Sequence, residues 1–265
     1  MGYQFSARSG SSIYVEDIGS GPPVLALHGI GGGTYFFHGL AKRLASRYRI
    51  LSIDLPGTGG SSSANPSFTV ESWVSDIGDL VAQKIGEPAV ILGHSLGTIL
   101  ALKAWEAWPE QIRALILTCG LPKVRPFIRE RLSQRAEAMT AQGNISGWGE
   151  KVSPGVFSAT TMQRQPEMTG LFERLFEAQI PAAYVRSIEV LLGADASSAV
   201  PSVRVPCMAV IGQEDHYAPP EDVKAFMRQI PGGYREEIMP GCGHMPFFEA
   251  PEAFAGIVGS FLDGL

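Results

Sequence analysis

The chain is poor in cysteine, in basic charge and in long apolar runs, and each shortage excludes something. Three cysteines occur, Cys119, Cys207 and Cys242. Odd in number and widely spaced, they read as buried free thiols of a reducing cytoplasm rather than a disulfide frame. No Cys or His pair stands at metal-ligand spacing, so a zinc site is not expected. Lys plus Arg total 21 against 26 Asp plus Glu, for a net charge of −5. With no long basic run, a nucleic-acid partner is not expected. No apolar run approaches the roughly 20 residues of a membrane helix. Met1 to Ser12 shows no apolar segment behind a basic start. Neither a membrane partner nor a signal peptide is expected, and the expected location is cytoplasmic.

What is present is a core. Hydrophobic residues make up 45% and charged residues 18% of 265 positions, a composition for a soluble globule with a sizeable core, at a length within the range of one large α/β unit. Tyr3, Phe5 and Ala7 alternate with polar residues, Ser9-Gly10-Ser11 turns, and Ile13 and Val15 resume the alternation, which predicts a hairpin. Val24 to Leu27 is an apolar run suited to a strand buried on both faces. Phe37, Leu40, Leu44 and Tyr48 follow helical spacing before a strand at Ile50 to Ile53. Val70, Trp73, Val74, Ile77, Leu80 and Val81 form the clearest helical stripe. Strand at Ala89 to Leu92, helix at Leu96 to Ala107 and strand at Ala114 to Leu117 follow. This alternation predicts right-handed crossovers and a mostly parallel sheet. At Leu121 the rhythm stops, and it resumes with strands at Met208 to Ile211 and Tyr234 to Ile238, separated by a helix at Glu221 to Gln229. A last helix begins at Pro251. The expected organisation is a core of residues 1–120 and 205–265, with 121–204 inserted as a helical cap.

Four strings carry chemistry. Gly93-His94-Ser95-Leu96-Gly97 falls where a buried strand meets a helix. A serine at such an elbow takes a strained backbone and lifts its hydroxyl above the sheet at the helix N-terminus, which makes Ser95 the candidate nucleophile. His28-Gly29-Ile30-Gly31-Gly32 follows another strand, and its small residues let a backbone amide turn inward. The amides of Ile30 and Leu96 are therefore the candidate oxyanion hole. A dinucleotide-binding reading of this loop fails, because Gly-x-Gly-x-x-Gly breaks at Thr34. Asp215 follows the strand Met208 to Ile211 and is placed to orient an imidazole. Its neighbour Glu214 alternates away in an extended segment, and Asp222 suits a first helical turn. His244, between Gly243 and Met245-Pro246, is the candidate base. His216 adjoins the acid too closely, His94 lies on the strand side of the serine, and His28 suits a loop organiser.

With Asp54-Leu55-Pro56-Gly57-Thr58-Gly59-Gly60-Ser61 and Gly243-His244-Met245-Pro246 added, the chain resembles the α/β-hydrolase superfamily over nearly its whole length. It is most similar to compact bacterial enol-lactonases, small carboxylesterases and cofactor-free haloperoxidase-like enzymes. The resemblance implies a twisted eight-stranded sheet with strand two antiparallel and a helical cap. Thr98 departs from the pattern, since many relatives carry glycine there.

The expected activity is cleavage of a small-molecule ester or lactone through an acyl-enzyme on Ser95, with His244 and Asp215, needing no cofactor or metal. A serine nucleophile argues against the dehalogenase and epoxide hydrolase relatives, which use aspartate. The alternatives are carbon–carbon hydrolysis of a ring-cleavage product, and non-catalytic ligand binding on the same fold. His28, Trp148, Phe157, Phe172 and Met245 are the candidate substrate contacts, although helix aromatics more often serve packing. Lys123, Arg125, Arg129, Arg131 and Arg135 read as a solvated basic face rather than a lip for anionic substrates.

Overall fold

The computed structural model describes residues 1–265 and has eight strands in one sheet. They are β1 Gly2–Ser6, β2 Ser12–Ile18, β3 Pro23–Leu27, β4 Arg49–Ile53, β5 Ala89–His94, β6 Ile112–Thr118, β7 Cys207–Gly212 and β8 Arg235–Met239. Their order across the sheet is β1-β2-β4-β3-β5-β6-β7-β8. β2 runs antiparallel to β1 and β4, and every other pairing is parallel. Every residue of β3, β5 and β7 is buried. A parallel sheet covered by helices on both faces requires that, and it explains why these strands read as unbroken apolar runs.

Eleven α-helices complete the chain. α1 His38–Leu44, α2 Val70–Leu80, α3 Leu96–Ala107 and α9 Pro220–Met227 alternate with the strands, and α10 Pro246–Glu249 and α11 Pro251–Leu262 follow β8. α4 Pro126–Gln142, α5 Trp148–Val156, α6 Ala159–Arg164, α7 Pro166–Glu177 and α8 Pro181–Gly193 lie between β6 and β7, where no strand was expected. Four of these five begin on a sequence cue. α4, α7 and α8 start with proline, whose missing N–H is no loss in a first turn. α6 is capped by Ser158, whose hydroxyl accepts from the Thr161 amide at 3.1 Å. Their buried residues, among them Ile128, Leu132, Val152 and Phe176, join the same apolar cluster as the strands.

The stripe expected over Val70 to Val81 is α2, capped by Thr69 and Ser72 in reciprocal hydrogen bonds. One difference lies at its end. The chain does not leave the helix at Val81 but widens into a π-turn, Val81–Ile85, closed by Gly86 at φ 73°.

The loops that follow β3, β5, β7 and β8 all emerge at the carboxyl edge of the sheet. In an open parallel sheet that edge is where a binding crevice forms.

Candidate active site

Ser95 sits between β5 and α3 with φ 54° and ψ −114°, one of two non-glycine residues with positive φ. Strain of this kind, about 1–3 kcal/mol, persists only where neighbours over-determine it. Here they do. Ser95 donates its amide to Thr118 O at 3.0 Å, and Thr98 N donates to Ser95 O at 2.9 Å. A Cβ at Gly93 would meet Gly97 O at 2.1 Å, and one at Gly97 would meet Leu27 O at 2.1 Å. Both glycines are needed for the turn to close against its own helix and against β3. Thr98, the departure from the pattern, is buried and donates its hydroxyl to Gly93 O at 3.2 Å.

The other two candidate side chains meet directly. His244 Nδ1 lies 2.8 Å from Asp215 Oδ2, with the two side chains 7% and 0% exposed. The second carboxylate oxygen accepts from the amides of Tyr217 and Ala218 at 2.8 and 3.0 Å. Asp215 is thus fixed by its own loop before it meets the imidazole. With Nδ1–H donating to the carboxylate, His244 keeps its Nε2 lone pair free for a proton. His244 and Ser95 line one cavity without a hydrogen bond between them.

The histidine loop is held from several sides. His244 N donates to Val156 O at the end of α5 at 2.7 Å. Gly212 and Gly243 pass so closely that a Cβ on Gly212 would stand 1.8 Å from Gly243 O. Buried Glu249 accepts from Gly243 N at 2.8 Å and Met245 N at 3.1 Å through one oxygen. Its other oxygen accepts from Ser158 N and Thr161 Oγ1, both at 2.9 Å. Glu249 therefore ties the histidine loop to α6. No local signal in the sequence marks it for this role, because half of its partners lie about ninety residues away at the start of α6.

The amides of the candidate oxyanion residues are both free of acceptors within the chain. Leu96 is the first residue of α3, so its N–H belongs to the group that has no intrahelical acceptor. Ile30 N also has no acceptor within the chain. Gly29 beside it packs so tightly that a Cβ would stand 2.9 Å from Ser95 Cβ and 3.0 Å from His94 Nδ1.

The candidate substrate contacts divide. Phe172 and Met245 line the cavity with Ser95. His28, Trp148 and Phe157 do not, and the expectation for them is corrected. His28 is buried, donates Nδ1–H to Gly29 O at 2.6 Å and accepts from Leu55 N at 3.0 Å, so both ring nitrogens are spent on loop structure. Trp148 turns outward to Gln142 and the Lys151 ammonium. Phe157 packs edge-on against Phe172 in the layer behind the wall.

The basic run is also corrected in part. Lys123, Arg125 and Arg135 line the cavity instead of forming one solvated face. The cavity holds about 740 Å³ of space, counting the part open to solvent, and its lining is mostly apolar.

Cys119 was not expected near the site. It follows β6 with φ 46°, is buried, and places Sγ 3.8 Å from Gly243 O. Burial, reinforced by the Asp215 charge, pushes its thiol well above the ordinary range, which leaves it protonated and a poor nucleophile.

Comparison with known proteins agrees with this architecture. Residues 24–257 match the model of the Alpha/beta hydrolase family. The pimeloyl-[acyl-carrier protein] methyl ester esterase of Neisseria meningitidis serogroup C is 28% identical over 248 residues, covering 91% of this chain and 94% of that one. A thermophilic esterase from Thermogutta terrifontis superposes with TM-score 0.91 at 22% identity, covering 100% of this chain and 98% of that one. The enol-lactonase of Burkholderia xenovorans superposes with TM-score 0.88 at 20% identity, over 98% of this chain and 100% of that one.

Proposed function

We propose a function from this premise: the chain belongs to the Alpha/beta hydrolase family, and it cleaves a carboxylic ester or lactone with Ser95 as nucleophile. The observation that carries the reading is the 2.8 Å contact of His244 with Asp215, beside the strained Ser95 elbow on a shared cavity. Ser95 Oγ attacks the ester carbonyl carbon and its proton passes to His244 Nε2. Asp215 holds the imidazole in the Nδ1–H tautomer and stabilises the imidazolium. The Ile30 and Leu96 amides receive the negative oxygen of the tetrahedral intermediate. His244 then returns the proton to the leaving alkoxide, and water repeats the sequence to release the acid. No step requires a metal or cofactor.

Residues 121–204 act in this scheme as a cap. α4, α5, α7 and α8 supply cavity walls, so they shape the pocket and limit water while the core holds the reacting groups. The resemblance to methyl ester esterases and an enol-lactonase supports a small ester or lactone as substrate.

Turnover of a panel of short-chain esters, lactones and a ring-cleavage dienone tests the reading. Ester or lactone hydrolysis is expected to dominate. Turnover of the dienone alone would assign carbon–carbon hydrolysis instead, and no turnover with no label on Ser95 would leave a binding protein.

A further inference from the structure

The cavity lining contains three cations and no aspartate or glutamate. Two of the cations are answered by exposed carboxylates outside the lining. Arg125 meets Asp222 at 2.7 Å and Lys123 meets Asp195 at 3.6 Å. Arg135 has no carboxylate within ion-pair distance. Its two terminal nitrogens donate to the hydroxyls of Tyr184 and Tyr217, each at 3.1 Å.

Those partners are neutral acceptors. Tyr184 is buried, and burial pushes its phenol up, with Arg135 acting against that shift. A guanidinium with only neutral partners on a mostly apolar wall leaves its charge unanswered, in a protein whose net charge is −5. Each phenol, having accepted from Arg135, still has its own O–H to donate, and no protein acceptor takes either one. The remaining N–H groups of the guanidinium and the two hydroxyls are thus donors without an acceptor on one cavity, a set that the two oxygens of a carboxylate can complete.

The position fits one end of a substrate. The Tyr217 ring lies 5.0 Å, centre to centre, from the His244 ring, and the hydroxyl at its far end meets Arg135. Tyr217 thus links Arg135 to the proposed catalytic imidazole, and all three line the same cavity. Phe172, Phe176 and Leu132 add apolar wall to the same cavity.

We propose that Arg135, Tyr184 and Tyr217 form a carboxylate subsite, and that the substrate is an ester carrying a carboxylate at the far end of a short apolar chain, as in a monoester of an aliphatic dicarboxylic acid. The substrate class rests on the ester-hydrolase reading above, whereas the subsite itself is testable without it.

The experiment has a binding arm and a turnover arm. In the binding arm, Ser95→Ala protein is titrated calorimetrically with the monoamides of C4 to C8 dicarboxylic acids and with neutral amides of the same lengths. At least one monoamide is expected to bind about 30-fold tighter than its neutral match, a preference that Arg135→Gln removes and Arg135→Lys restores in part. In the turnover arm, Arg135→Gln lowers kcat/KM for ethyl monoesters roughly 30-fold more than for neutral ethyl esters, mainly through KM. Tyr217→Phe gives a smaller loss of the same kind. Equal binding of charged and neutral amides, or preference for the neutral ones, overturns the subsite. Preferential binding with no turnover of any ester keeps the subsite and removes the hydrolase reading. If Arg135→Gln does not fold, the comparison of charged with neutral amides in Ser95→Ala decides alone.

Discussion

His94 Nε2 lies 2.9 Å from the backbone carbonyl oxygen of His244, so the residue before the proposed nucleophile Ser95 holds the backbone of the proposed base. A carbonyl only accepts, so Nε2 carries the hydrogen, and buried Nδ1 is left without a partner. Burial, reinforced by the nearby His244, pushes the His94 imidazole well below its ordinary value of 6.5. It stays neutral in the folded protein and adds no charge beside His244.

That neutrality makes stability depend on pH. Below about pH 6.5 the unfolded chain protonates His94 while the folded chain does not, so the unfolded state binds the extra proton. Stability is complete above that pH and falls as pH drops, by about 1.4 kcal/mol per unit for each such group. His28, pushed down by burial in the same direction, adds to the slope. Urea unfolding between pH 7.5 and 5 should show this loss, and His94→Gln should make it about half as steep. An unchanged slope in the variant would remove His94 as a source.

Asp215→Asn should fold and lose roughly 10⁴-fold in kcat. The amide oxygen can still accept from Tyr217 N and Ala218 N, while its NH2 turns to His244 and forces the wrong tautomer. Glu214→Gln and Asp222→Asn should each stay within a few-fold of wild type. Asp222 is occupied with Arg125 outside the reacting groups. A comparable loss in either would assign the acid elsewhere.

Glu249→Gln leaves one of the two oxygens as an NH2, which cannot accept. Two of four hydrogen bonds to the histidine loop or to α6 are then lost, at a cost of roughly 2–4 kcal/mol. Chemical denaturation measures the loss directly. A variant as stable as wild type would show that these amides are satisfied another way.

Core and site were readable to different depths, for physical reasons. Leu96 to Ala107 was expected as a helix and is one, because the glycine-flanked elbow fixes its start. Ser95, Asp215 and His244 are each marked by a local signal, a turn or a strand end at the sheet's carboxyl edge. Arg135 is not. Within a run of basic residues on α4 it reads as a solvated side chain. Only Tyr184 from α8 and Tyr217 from the loop after β7 turn it inward. Trp148 and Phe157 failed for the same reason in reverse, since aromatic residues at the two ends of a short helix, one opening α5 and one just past it, carry no record of which side faces a cavity.

The contrast between cap aromatics is itself testable. Phe172→Ala should shift relative kcat/KM across ester chain lengths by about 1–3 kcal/mol, because its ring is part of the cavity wall. Trp148→Ala should leave the preference order alone, since that ring faces Gln142 and Lys151. Equal shifts in both would mean that the cap responds as a whole and that wall contacts do not set selectivity.

The central claim is that Ser95 is the nucleophile, and covalent labelling addresses it most directly. The wild-type protein is treated with a fluorophosphonate, its intact mass is measured, and the modified peptide is mapped. One adduct is predicted, on Ser95, with ester hydrolysis lost in step with labelling. Ser95→Ala should take no label and hydrolyse esters on the order of a million-fold more slowly, since nucleophile and base act as a unit. A label on another residue, or a Ser95→Ala protein that still turns over esters near the wild-type rate, would contradict the account.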